Sequence, residues 1–143
     1  MITKIKHKKK LYAIIVDNKY RQKKGVSFFS SNDLTQQFGY IYQKKNHIIQ
    51  PHLHLKRNTK VYTTSEVLIV LKGEIRIDFY NLRQKYLLSK IIKKGQIIFL
   101  LHGGHGFKVI KDIQMIEIKQ GPFKKNMDKI RFQPISEDQV RIR

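Results

Sequence analysis

Between Glu74 and Tyr80 the chain alternates cleanly. Ile75, Ile77 and Phe79 fall on one side, and Glu74, Arg76 and Asp78 on the other. That two-residue period predicts a strand with one face buried. Just before it, 66–71 is a nearly continuous β-branched and aliphatic run, as expected for a strand covered on both faces, and Gly73 is expected to end it. Further strands are predicted over 11–16, 26–29, 38–42, 47–50, 86–92, 96–101, 107–110 and 113–119. Turn chemistry separates them: Ser30-Ser31-Asn32-Asp33, Gln43-Lys44-Lys45-Asn46, Lys93-Lys94-Gly95 and Lys111-Asp112. About ten short strands without a long amphipathic helix predict an all-β barrel or sandwich. No repeat or linker divides the chain, so 1–143 is expected to be one domain, with a mostly polar tail after Gly121-Pro122 wrapping over the barrel or reaching a neighbour.

Three segments carry candidate chemistry. Pro51-His52-Leu53-His54 places two histidines two residues apart, which in a strand point to the same side. Two imidazoles so placed can converge on one ion at roughly 2.0–2.2 Å. Glu66 opens the apolar run that leads to Gly73, and Gly103-Gly104-His105-Gly106 follows a strand that starts after Gly95.

This order of residues resembles the cupin superfamily. The family's first motif is His-x-His, a short gap, Glu, six residues and Gly; its second is Gly, a short strand, a Pro/Gly turn and a final His. Here the matching residues are His52, His54, Glu66 with six residues to Gly73, then Gly95 leading to His105, and the likeness covers roughly residues 38 to 120. Eleven residues separate His54 from Glu66 where the family has three or four, and the second motif lacks its proline and brings its histidine one position early. His102 is a rival for that last position. The resemblance implies a single cupin-type double-stranded β-helix, a jelly-roll barrel. It also implies a divalent transition metal (zinc, iron, nickel or manganese) held by His52, His54, Glu66 and His105. Glu66 has a second reading, as the acceptor that orients a ligand histidine. The histidines have one too, as hydrogen-bonded strand residues of a cupin without metal. The segments 103–107, 116–123 and 128–132 are similar to small cupins linked to surface-polysaccharide and sugar-modification gene sets.

Composition narrows the chemistry. The chain has no cysteine, which excludes disulfides, thiolate metal sites and a cysteine nucleophile. Lys and Arg total 30 against 10 Asp and Glu, a formal charge of +20. Such a surface attracts polyanions. Yet 23 of the 30 are lysine, spread along the chain beside 21 isoleucines, and no groove-reading motif accompanies them. Nucleic acid is therefore the last of the partner classes. A basic rim that steers an anionic small molecule, such as a nucleotide-sugar, fits better. No apolar run approaches the roughly 18 residues of a membrane span, and the lysine-rich start leads into only the short run 11–16, so a cytoplasmic protein is expected.

The leading expectation is a metal-dependent enzyme that isomerises or epimerises a carbohydrate or nucleotide-sugar beside a carbonyl. Along 113–119, Glu117 and Lys119 share a face; they either line the pocket as general base and electrostatic partner, or form a surface ion pair. Tyr42, Tyr62 and Tyr80 are candidate acids that the sequence does not rank. Metal-free sugar epimerases of the same superfamily use a barrel histidine as base, so His52 or His54 is a candidate without metal. The alternatives are a non-catalytic sugar-binding module and a non-haem metal-dependent oxygenase. Unpaired strand edges make a homodimer the expected assembly.

Overall fold

The alternation written into the strands builds two apolar layers, one on each side of a single antiparallel sheet. A computed structural model of the chain describes residues 1–122 and 128–143. Eight strands lie among them: β1 (Ile2–His7), β2 (Lys10–Val16), β3 (Gly25–Phe28), β4 (Gly39–Tyr42), β5 (Glu66–Tyr80), β6 (Tyr86–Lys93), β7 (Ile97–Leu100) and β8 (Gly104–Lys119). The main sheet runs β1-β2-β7-β5-β6, with β8 on the other side of β5; β3 and β4 form a separate hairpin. The sheet curls into a half-barrel. Its inner core gathers Ile5, Ile15, Leu68, Val70, Ile75, Ile77, Phe79, Ile92, Ile98 and Leu100. The outer core of Ile14, Val16, Val67 and Phe99 is roofed by Tyr20, Phe29 and Phe38 from the segment around β3 and β4.

Four differences from the sequence reading have physical causes. The lysine-rich start, to which the sequence reading assigns no element, is strand β1, whose Ile5 is buried while Lys4 and Lys6 face water. The two strands expected on either side of Gly73 are one strand, β5, because a glycine at φ +84° bends the ribbon instead of ending it. The strands expected on either side of Lys111-Asp112 are likewise one, β8. The segment 43–65 contains no strand: Ile48, Ile49, Leu53 and Leu55 are all exposed, so no apolar face ties it to the sheet. The strand expected to carry His52 and His54 is therefore absent.

The β5–β8 ribbon sets the shape. Glu66 and Phe79 are 13 residues apart on β5, about 40 Å if the strand were straight. His105 is the register partner of Phe79, yet its ring meets the Glu66 carboxylate at 3.0 Å. The ribbon has doubled back on itself. Its bend lies at three register shifts between Val70 and Ile75, where Gly73 passes under the Asp112 carbonyl. The turn after β6 fills the corner: the Lys94 N–H donates to the Gly73 carbonyl at 3.1 Å and the Gly95 N–H to the Val70 carbonyl at 2.8 Å.

The C-terminal segment 128–143 clasps this ribbon from outside. Phe132 packs edge-on to Tyr80 at 5.0 Å, and the Ile135 N–H donates to the Tyr80 hydroxyl at 2.9 Å. Farther on, the Ser89 N–H donates to the Arg141 carbonyl at 2.9 Å and the Arg143 N–H to the Ser89 carbonyl at 3.1 Å, so the tail pairs with the outer edge of β6. Between these contacts Glu137 accepts from both Arg76 Nη1 (2.7 Å) and Arg76 Nη2 (3.0 Å), and Lys108 Nζ lies 2.8 Å from the same carboxylate.

Hydrogen bonds from Arg76 first, then from Lys108, hold the Glu137 carboxyl down at about 2. A carboxyl whose pKa is depressed on folding stabilises the fold above its unfolded value, and that contribution disappears as pH falls toward the folded value. The clasp is thus expected to loosen between about pH 4.5 and 2. Amide chemical shifts of Arg141 and Ile142, followed through this range, check it. Glu137→Gln should remove the titration step; an unchanged profile in that variant would assign the loosening to another group.

Candidate functional site

Doubling the ribbon back brings the first residue of β5 against the second residue of β8. Glu66 is largely buried, its side chain 9 % exposed, and His105 is a quarter exposed. Glu66 Oε2 and His105 Nε2 are 3.0 Å apart, while Glu66 Oε1 has Lys129 Nζ at 4.0 Å. Lys119 is the register partner of Glu66 across the ribbon. The hydrogen bond from His105 is the largest cause holding the Glu66 carboxyl below its ordinary range, with smaller help from Lys129 and Lys119, and burial opposes it. With the Nε2 proton directed at Glu66, a neutral His105 ring carries its lone pair on Nδ1.

Local sequence fixes both partners. Ser65, buried just before β5, donates its N–H to Gln120 Oε1 at 2.8 Å and its hydroxyl to Gln36 Oε1 at 2.7 Å. Gln120 in turn donates to Thr35 Oγ1 at 3.0 Å. The β5 entry is therefore tied to the β8 exit and to the 30–37 turn. On the other side, Gly103 has φ +74° and passes so close to the Tyr80 carbonyl and the Tyr12 ring that any side chain would overlap them. His105 also packs against Phe107, ring centres 5.2 Å apart.

The pair sits in an open cleft of about 510 Å³, a size suited to a small molecule. Tyr62, Thr63 and Thr64 supply hydroxyls to its lining, Lys119 and Lys129 supply positive charge beside the carboxylates of Glu66 and Asp128, and Ile130 and Phe132 supply an apolar wall. The arrangement can hold a polar ligand beside an imidazole that a buried carboxylate orients.

The residues singled out from sequence are distributed unevenly. Glu66 and His105 come together. His52 and His54 form a second pair, rings 5.3 Å apart, on the exposed segment 44–64, with His52 Nδ1 at 2.9 Å from the Gln50 carbonyl. Among the described residues no group of three or more His, Asp or Glu side chains is placed to hold a metal ion. Lys119 lines the cleft; Glu117 is exposed and lies outside its lining. Tyr62 is at the cleft, whereas Tyr80 is buried beneath the tail and Tyr42 belongs to β4. His102 packs edge-on to Tyr12 at 5.2 Å, away from the Glu66–His105 pair's lining.

Sequence reasoning missed Lys129 and Phe132. They come from the polar tail, and only the aromatic residue within it hinted that the tail has a packed side. It also missed Arg76 and Asp78, which alternation assigned to water and the tail buries. No described helix is long and apolar enough to cross a membrane. Comparison with protein-family models, with curated proteins and with solved structures finds no match for this chain.

Proposed function

We propose that this chain is a cupin-type jelly-roll protein that acts on an anionic carbohydrate or nucleotide-sugar, moving a proton beside a carbonyl. The observation that carries the reading is the buried Glu66 carboxylate hydrogen-bonded to His105 in a cleft flanked by Lys119 and Lys129. His105 is the base: its Nδ1 takes the proton from the carbon next to the carbonyl, and the C–H electron pair moves into an enolate. Glu66 holds the ring in register and stabilises its cationic form. Lys119 and Lys129 offset the negative charge that grows on the carbonyl oxygen. A proton delivered by water to the other face of the same carbon gives epimerisation, with His105 losing its own to solvent; return of the His105 proton to the former carbonyl carbon, with the neighbouring hydroxyl proton passing to the old carbonyl oxygen, gives isomerisation. Glu117, outside the cleft lining, has no part in this scheme.

Solvent exchange tests it. The protein is incubated in D₂O with a panel of phosphorylated and nucleotide-linked carbonyl sugars, and deuterium beside the carbonyl is read by NMR. Exchange should occur with at least one sugar, fall by about 10²-fold or more in His105→Ala, and fall less in Glu66→Gln. Binding without exchange would favour the sugar-binding module. Neither binding nor exchange would sink both.

A metal-dependent form of the same reading needs His52 and His54 beside Glu66 and His105. The described residues do not fit it, since Glu66 and His105 face each other and the histidine pair stands apart. One observation favours it. The segment bearing His52 and His54 has no strand pairing to lose and runs directly into Tyr62, Thr63 and Thr64 of the cleft wall. Metal analysis of protein purified without an affinity tag, beside His52→Ala/His54→Ala, belongs in the same experiment. About one zinc, iron, nickel or manganese per chain, lost in the variant, would establish that form. A homodimer is proposed as well, with the free edge of β8 as the surface a second copy would cover.

A further inference from the structure

A second cleft lies on the far side of the 101–104 segment from the Glu66–His105 pair. It has a volume of about 420 Å³ and is bounded by the β1–β2 turn and the turn between β5 and β6. Lys8, Lys10, Arg83 and Lys85 line it, together with His7 and His102, and no Asp or Glu is found among the described residues of its lining. Four lysines elsewhere in the molecule have carboxylate neighbours: Lys93 and Lys111 at Glu74, Lys108 at Glu137, Lys129 at Glu66. The four cations of this cleft have none among the described ion pairs.

The backbone shows the same bias. Lys8 and Lys9 both sit at positive φ, 44° and 63°, and Gln84 in the facing turn is at 60°. A left-handed conformation is unfavourable for a residue with a side chain, and Gly or Asn at the hairpin would ease it. Both turns are nonetheless held rigid. Asn81 Oδ1 accepts from the N–H groups of Arg83 (2.9 Å) and Lys85 (3.0 Å), and the β1–β2 register runs up to His7 and Lys10. Tyr12, itself buried, is flanked edge-on by His102 at 5.2 Å and His7 at 6.1 Å, which fixes both imidazoles at the cleft wall. Gathered like charges repel, and the turns that gather them are strained. A bound anion relieves the first.

We propose that this cleft binds a phosphorylated small molecule with two or more negative charges, separately from the Glu66–His105 cleft. The cations grip the phosphate oxygens, and His7 and His102 complete the wall as further donors. A carboxylate ligand would leave most of the positive charge unanswered; a diphosphate answers it within a volume typical of small-molecule sites.

Calorimetric titration with inorganic pyrophosphate and with uridine diphosphate at 0.15 M salt tests the proposal. Lys8→Ala/Arg83→Ala/Lys85→Ala should weaken both at least about tenfold. Lys23→Ala/Lys24→Ala/Lys44→Ala removes the same charge from exposed positions outside the cleft and should leave affinity within about twofold. In the unmodified protein, pyrophosphate should shift the amides of Lys10, Arg83, Lys85 and His102 first, a readout independent of whether the variant folds. Equal weakening in the two triple variants, shifts scattered over the surface, or binding of a single-stranded oligonucleotide but of neither diphosphate would each overturn it. So would no binding at all.

Discussion

Gly73→Ala is expected to destabilise the protein by about 3 kcal/mol or more and to pull the Glu66–His105 pair apart. Two costs add. The φ of +84° charges any L side chain about 1–2 kcal/mol, and the new Cβ would overlap the Asp112 carbonyl of β8. That carbonyl belongs to the backbone of a paired strand, so it cannot swing aside as a side chain would. Relief requires β5 and β8 to separate at the bend, and the bend is what brings Glu66 to His105. Gly25→Ala is the control. Gly25 also has positive φ, 128°, but nothing lies within 4 Å of its added Cβ. Urea denaturation of both variants should show Gly25→Ala losing about 1 kcal/mol and Gly73→Ala far more. Equal losses would mean that the close crossing at Asp112 contributes nothing.

Arg76→Ala should cost about 3–5 kcal/mol, because it strands a buried carboxylate. Arg76 and Asp78 side chains are 7 % and 4 % exposed, and the guanidinium donates to both Asp78 oxygens, at 2.8 Å from Nε and 3.0 Å from Nη2. Ser89 then remains as the partner recorded for Asp78. The same substitution removes both hydrogen bonds to Glu137, so the tail loses its central anchor. Arg76→Met/Asp78→Leu replaces the pair with apolar groups and leaves no stranded charge; it should recover most of the stability while the tail stays loose. Thermal unfolding separates the two effects when read beside the NMR shifts of Phe132 and Tyr80. A loss below about 1 kcal/mol in Arg76→Ala would show that water reaches Asp78 and that the pair behaves as a surface bridge.

Alternation along 74–80 gave the inward face of β5 correctly, since Ile75, Ile77 and Phe79 all lie in the inner core. It also placed Arg76 and Asp78 opposite, but a two-residue period reports only sides, never what a distant tail later covers. Gly73 was legible as a backbone irregularity. Whether positive φ stops a strand or folds it depends on the partner strand, and the partner, β8, has its own interruption at Lys111-Asp112. Each irregularity read alone predicts a break; aligned, they make one corner. Glu66 and His105 were singled out as metal ligands through motif order; the bend of the β5–β8 ribbon, which that order does not describe, pairs them with each other. The histidine pair lies on a stretch without apolar periodicity, so nothing local specified a strand there. Lys129 and Phe132 reach the cleft across a tail whose path no periodic signal describes.

The outer edge of β8 runs for 16 residues with no strand partner among the described residues, and Phe107, Val109, Ile110, Met115, Ile116 and Ile118 are exposed along it. Such an edge invites other chains to stack onto it. The +20 charge opposes the approach of a second copy, and the reach of that repulsion shrinks from about 10 Å at 0.1 M salt to about 3 Å at 1 M. Ionic strength is therefore expected to shift the balance between dispersed chains and the proposed edge-to-edge pairing. The lysine excess, whatever its origin in composition, works against unwanted pairing at the longest strand edge left open among the described residues.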